Sequence, residues 1–196
     1  MKILLALTDR DLLTGLSRFL TLSGHEAIPV FDGTQVTEKL ASDKPDAAVI
    51  DCTLPRVPLS DLFTRLRLAG VPAVETCDRP VTVRDLVSGP AASSFLAYPF
   101  SPGELLARLE KVVQTALSPE KFTVAGVAVD PGRFLLGDRV PVTAEEIDLL
   151  RALSRGEEKV FPQSIVLSSL NEKFRLLGGA VKIGRTPGGY GVMKNE

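Results

Sequence analysis

The sequence predicts an α/β protein: a doubly wound, parallel five-stranded sheet over residues 1–117, then a small α+β domain over residues 122–196, with residues 118–121 as linker. Three observations predict it. Apolar strand-like runs alternate with helix-period segments five times before residue 117, the pattern of parallel strands joined by helical crossovers. Within that region Asp46-Ala-Ala-Val-Ile-Asp51-Cys-Thr-Leu-Pro55 reads as a buried strand that delivers a carboxylate to its C-terminal tip, where open α/β sheets place their ligand chemistry. Past Ser118-Pro119-Glu120 the pattern changes to short alternating strands parted by turn residues, and the chain closes on a glycine-rich hairpin.

Each element has its own signal. Residues 2–7 are a continuous apolar run, as a strand buried on both faces requires. Leu12, Leu16, Phe19 and Leu20 then recur at helical spacing until Gly24 stops them. Residues 27–31 form a short strand, 36–40 a helix, 47–51 the third strand and 59–68 the third helix. Residues 71–76 follow as a strand, 81–87 as a weak helix cut by Gly89-Pro90, and 94–98 as the last strand. Ser101-Pro102-Gly103-Glu104 opens a helix with Ser as N-cap, Pro at the first position and Glu completing a capping box. In the second domain, strands within 122–129 and 134–142 are parted by Asp130-Pro131-Gly132 and Gly137-Asp138. Thr143-Ala144-Glu145-Glu146 is another capping box, and a further helix runs from Pro162 to Leu177 before Gly178-Gly179. Residues 180–183 and 190–193 flank Gly184-Arg185-Thr186-Pro187-Gly188-Gly189 as a β-hairpin. Small sheet, helices and terminal hairpin make the plan of a winged helix.

Composition narrows the function. With 44% hydrophobic and 24% charged residues over 196 positions, the chain can bury a sizeable core, and a formal net charge of -1 makes any basic patch local rather than global. The two cysteines, Cys52 and Cys77, have no metal-like spacing and fit a reduced, cytoplasmic setting. They follow adjacent strand tips, where a redox pair is one reading and two buried structural thiols the preferred one. The apolar start is too short for a membrane span. The lone histidine, His25, has no catalytic neighbours in the pattern. No Ser/His/Asp set, metal motif or phosphate-binding glycine loop appears, so the chain is not expected to be an enzyme.

Four places then carry a resemblance: the first strand with its turn, Asp51-Cys-Thr-Leu-Pro55, Thr76 ending the fourth strand, and Leu96-Ala-Tyr98-Pro-Phe100-Ser-Pro-Gly-Glu-Leu-Leu-Ala-Arg108. With Val142-Thr143-Ala-Glu-Glu and the hairpin ending Gly189-Tyr190, the whole chain resembles the OmpR/PhoB family of response regulators. That resemblance implies a receiver (flavodoxin- or CheY-like) domain followed by a winged-helix DNA-binding domain. It makes Asp51 the phospho-acceptor position and Thr76, Phe95 and Tyr98 the switch positions. The family's Mg²⁺-holding acidic pair falls on Leu7 and Thr8, with Asp9 one residue late as the remnant of an acidic pocket. The family's phosphate-pairing lysine is Tyr98, and a phenol carries no positive charge at neutral pH. Mg²⁺ binding is therefore expected to be weak or absent. Two readings of Asp51 compete: a residual acceptor rescued by Asp9, and the preferred one, a carboxylate that hydrogen-bonds neighbouring amides or Thr76. Arg56 stands near as a counter-charge of unknown direction.

For DNA, cations cluster late in the chain. Ser164, Ser168, Asn171 and Arg175 lie along one polar face of the last helix. Ser168, Asn171, Lys173, Arg175, Lys182 and Arg185 are the candidate DNA contacts. The family has two helices where this chain has room for one, so either a positioning helix is shortened into residues 157–162 or the recognition helix is lost. The resemblance also implies homodimerisation through the receiver's last helix, with Glu104 and Arg108 as surface candidates and Ser93 and Ser94 replacing acidic residues. The expectation is an atypical, phosphorylation-independent transcriptional regulator. Its alternative is an adaptor that binds other signalling proteins and no DNA.

Overall fold

The computed structural model describes residues 1–89, 91–118, 120–157, 162–179 and 181–194. The chain divides into two compact units, Met1–Val81 with Pro90–Leu117, and Thr82–Gly89 with Ser118–Glu196. Residues 82–89, expected inside the first domain, thus group with the second.

The first unit holds β1 (Lys2–Ala6), α1 (Arg10–Leu22), β2 (Glu26–Val30), α2 (Gly33–Asp43), β3 (Ala47–Asp51), α3 (Leu59–Leu68), β4 (Ala73–Cys77), β5 (Ser94–Ala97) and α5 (Pro102–Ala116). The short α4 (Val83–Ser88) lies between β4 and β5 in sequence. All five strands are parallel, in the order β2-β1-β3-β4-β5. That is the doubly wound, CheY-like arrangement, and it places the C-terminal tips of β1, β3 and β4 side by side. Right-handed connections set α1 and α5 on one face and α2 and α3 on the other. β3 is buried at every position, and Ile3, Leu4, Leu5, Val49 and Ile50 are fully enclosed, which is why these strands read as unbroken apolar runs.

Helix ends are set locally. Ser101 caps α5 by accepting the Glu104 amide, with Pro102 at the first position. Thr82 and Asp85 form a full capping box on α4. The α1 helix ends before Gly24, whose φ of +83° only glycine adopts cheaply.

The second unit opens with a four-stranded antiparallel sheet, β6 (Phe122–Val124), β7 (Val127–Asp130), β8 (Leu135–Leu136) and β9 (Val140–Pro141). It continues through α6 (Ala144–Ser154) and α7 (Ser164–Leu176) to the hairpin β10 (Val181–Thr186) and β11 (Gly189–Lys194). This is a winged-helix plan. The hairpin strands are longer than the sequence suggests: Gly184, expected in the turn, pairs with Gly191, and only Pro187-Gly188 turn the chain. Val129, Leu136, Ile147, Leu150, Leu170 and Phe174 make the core. Of the expected shortened helix at 157–162, residues 158–161, Lys159 among them, lie outside the described residues.

Candidate functional site: a hydroxyl-lined carboxylate and a winged helix

Asp51 ends β3 and is only 6% exposed. Both of its oxygens are occupied. Oδ2 accepts from the Thr8 hydroxyl at 2.9 Å and the Thr8 amide at 3.4 Å. Oδ1 accepts from the Thr53 amide at 2.9 Å and the Thr53 hydroxyl at 2.8 Å. The two exposed hydroxyls lie 3.2 Å apart, so they roof the carboxylate. β1 pairs with β3 up to Ala6 and Ile50, and that register carries Thr8 to the Asp51 tip. Four donors on one carboxylate nearly exhaust its lone-pair directions.

The neighbours expected to serve the carboxylate are spent elsewhere. Asp9, proposed as a pocket remnant, is the N-cap of α1: its Oδ1 accepts the Asp11 and Leu12 amides at 2.9 and 3.0 Å. The signal was in the sequence, an Asp just ahead of the first helical residue. Arg56 turns away from Asp51 and pairs with Asp32 at 3.1 Å. Thr76 is wholly buried and pairs in register with Asp51 across β3 and β4. It accepts from the Tyr98 hydroxyl at 3.3 Å rather than donating to Asp51 in any hydrogen bond observed. Tyr98 is half-buried and stacks on Phe100 with ring centroids 4.7 Å apart. Burial pushes its phenol up, and the nearby Asp51 and Asp9 charges add to the shift. Phe95 lies buried on β5. Among the described residues, no group of three or more His, Cys, Asp or Glu side chains is placed to hold a metal ion.

Cys52 and Cys77 are both free thiols. Burial, with the Asp51 charge second, pushes Cys52 up, the opposite of a reactive thiol. Cys77 is buried, with Sγ 3.2 Å from the Arg79 carbonyl oxygen. On α5, Glu104 is exposed, whereas Arg108 is half-buried and donates from Nη1 to Ser94 on its own β5 at 3.3 Å. Arg108 is thus turned partly inward, not presented as a fully outward cation.

In the second unit two of the DNA candidates are corrected. Lys173 is 1% exposed, and its Nζ lies 2.6 Å from Glu146 Oε2. Glu146, fully buried on α6, also accepts from Ser169 Oγ at 2.6 Å and from the Thr143 amide at 2.8 Å. Lys173 therefore fastens α7 to α6 and cannot reach a phosphate. Burial pulls its ammonium down, against the opposing pull of Glu146. Asn171 is also committed: its amide donates to the Ile183 carbonyl at 3.0 Å and its Oδ1 accepts the Ile183 amide at 2.7 Å. It holds β10 onto α7. Ser168, Arg175, Lys182 and Arg185 are exposed, as expected, with Arg175 paired to Glu172 at 2.9 Å. Sequence reading passed over Gln163, which stands just before α7 at its N-cap position, is exposed and makes no side-chain capping bond.

Comparison with known proteins gives the setting. No family model matches the chain. The transcriptional regulatory protein PrrA of Mycobacterium tuberculosis is 32% identical over 178 residues, covering 85% of this chain and 76% of that protein. The DNA-binding response regulator MtrA of Mycolicibacterium paratuberculosis is 30% identical over 177 residues, covering 86% of this chain and 78% of that protein. Among solved structures, the receiver domain of Francisella response regulator 1452 superposes with a TM-score of 0.53 at 22% identity, over 58% of this chain and 96% of that domain.

Proposed function

The chain belongs to the OmpR/PhoB family of response regulators, and from that membership we propose that it is a DNA-binding transcriptional regulator whose receiver works without phosphorylation, as a dimerisation domain. The observation that carries the second half is the saturation of Asp51 by Thr8 and Thr53. Phosphoryl transfer to a carboxylate needs a free oxygen, a hard cation beside it and positive charge on the transferring group. Here the residues do not fit Mg²⁺. Thr8 offers a neutral hydroxyl already given to Asp51, Asp9 is consumed as a helix cap, and Tyr98 supplies no cation. The threonine hydroxyls take up the hydrogen-bonding capacity that a metal ion and a phosphoryl group would otherwise use. On the neighbouring strand the Tyr98 hydroxyl is given to Thr76, the residue in register with Asp51.

DNA binding is supported by the winged-helix plan and by the exposed Lys182, Arg185 and Lys194 on the hairpin beside Arg175 on α7. Contacts from these four chains predict a salt slope of about -0.9 for each phosphate engaged. A receiver dimer doubles that number and lets two half-sites be read together.

The test is binding of the full chain to a pool of genomic DNA fragments across a salt series, with and without acetyl phosphate and Mg²⁺. Salt-dependent, sequence-selective binding that is indifferent to the phosphodonor, with no mass gain on Asp51, fits the proposal. Labelling that disappears in Asp51→Asn would replace it with a working switch. Absence of DNA binding at low salt favours the adaptor reading, for which the inward commitment of Lys173 and Asn171 is the specific support.

A further inference from the structure

We propose that the DNA this protein selects is A·T-rich, read by Gln163 in the major groove and by Arg185 in a narrow minor groove; the inference rests on the DNA-binding reading above. Two independent observations lead to it, one on each element.

The first concerns α7. Guanine is specified in the major groove by Arg or Lys donating to O6 and N7, whereas adenine is specified by the Asn or Gln amide on N6 and N7. Residues 163–172 contain no lysine and no arginine. The first cation of the helix, Lys173, is buried against Glu146, and the next, Arg175, stands in the last turn beside Glu172. The exposed polar side chains at the start of the helix, where a recognition helix meets base edges, are Gln163, Ser164 and Ser168. Serine is tolerant of any base. Gln163 carries the one bidentate amide that this end presents, since Asn171 is spent on the Ile183 backbone. The helix therefore has a reader for adenine and none for guanine.

The second concerns the hairpin, which carries the exposed Lys182, Arg185 and Lys194. Its middle rung pairs Gly184 with Gly191, so the ribbon carries no side chains of its own there. A Cβ at Gly184 would collide with the Met193 sulfur, and one at Gly191 would come within 3.0 Å of Thr186 Cγ2. The Met193 and Thr186 side chains thus lie across the two glycines, and Arg185 stands exposed two residues before the Pro187-Gly188 turn. A two-stranded ribbon with a guanidinium near its tip suits the minor groove. The groove that attracts arginine most is the narrow, strongly negative one of A-tracts, and the guanine N2 amino group obstructs it in G·C pairs.

Fluorescence anisotropy of the full chain on three defined duplexes at fixed salt tests this: oligo(dA)·oligo(dT), oligo(dG)·oligo(dC) and oligo(dI)·oligo(dC). The expected result is binding about tenfold or more tighter to dA·dT than to dG·dC. The inosine duplex removes the minor-groove amino group while keeping a guanine-like major groove, and should recover part of the difference. Netropsin should displace the protein from dA·dT. Arg185→Ala should abolish the gain on inosine substitution, and Gln163→Ala should reduce the remaining adenine preference. Equal binding to all three duplexes overturns the A·T inference and leaves DNA binding standing. Binding to none overturns the regulator reading itself.

Discussion

The Thr8 hydroxyl donates to Asp51 at 2.9 Å from the strand tip next to β3. A neutral donor therefore occupies the side of the carboxylate where a second acid and a cation would be needed for phosphoryl chemistry. Thr8→Asp reverses that arrangement: Asp51 loses a hydrogen bond and gains a like charge. We expect the variant to lose about 1–3 kcal/mol of stability without divalent cation. Millimolar Mg²⁺, placed between two carboxylates, should return part of it. Urea unfolding with and without Mg²⁺ reads both effects. The parent chain's midpoint should not respond to Mg²⁺, and a clear response there would contradict the assignment of Thr8.

Tyr98 gives its hydroxyl to Thr76 at 3.3 Å. Tyr98→Phe removes one neutral hydrogen bond and should cost about 0.5–1.5 kcal/mol. The pH dependence has a definite sign. Burial, with the Asp51 and Asp9 charges behind it, holds the folded phenol above its unfolded value. The neutral form is thus favoured in the folded state. Its contribution is complete below the unfolded value of about 10 and declines as pH rises from there towards the folded value. Spectrophotometric titration should show one of the two tyrosines ionising late, and Tyr98→Phe should delete that late step. The stability gap between parent and variant should narrow with alkali beyond pH of about 10.

The buried pair of Lys173 and Glu146 makes a different prediction, because removing one member strands the other. Lys173→Met should cost about 3–5 kcal/mol. The double variant Glu146→Gln/Lys173→Met leaves no buried charge: its amide oxygen still accepts the Thr143 amide, and its NH2 donates to Ser169 Oγ, whose hydroxyl can turn to accept. It should recover at least half of the loss. Thermal or urea unfolding of the four-member set measures the coupling. A folded Lys173→Met protein of parental stability and weakened DNA affinity would instead return Lys173 to the list of phosphate contacts.

The fold was legible because its signals are local or repeated: apolar runs for strands buried on both faces, and Ser101 and Thr143 just before helix starts. Asp9 carried the same cap signal, yet the resemblance to an acidic pocket drew attention from it. Lys173 lay in the buried stripe of α7, at i+7 from Val166 and i+4 from Ser169. Its charge suggested solvent, and its partner Glu146 is 27 residues away, beyond what helical periodicity reports. Thr8, Asp9, Arg56, Thr76 and Tyr98 were all named from sequence, but the saturation of the Asp51 oxygens was not. That depends on Thr53, two positions past the strand, bending back to its own neighbour.

Asn171 bears on how the hairpin is held. Its amide and carbonyl oxygen bond both backbone groups of Ile183, whose side chain is 2% exposed in the core. β10 and β11 otherwise bond to each other, and a two-stranded ribbon is marginal alone. Asn171→Leu should therefore leave the Ile183 amide and carbonyl without their partners and cost about 1–3 kcal/mol. The loss should be uneven. Native-state hydrogen exchange should quicken most at Ile183 and its hairpin neighbours, while β1, β3 and β4 keep their protection. Because Asn171 is assigned to the backbone and not to a base edge, the variant should keep its preference among DNA sequences while binding all of them more weakly. A change in preferred sequence at unchanged hairpin protection would place Asn171 in the groove instead.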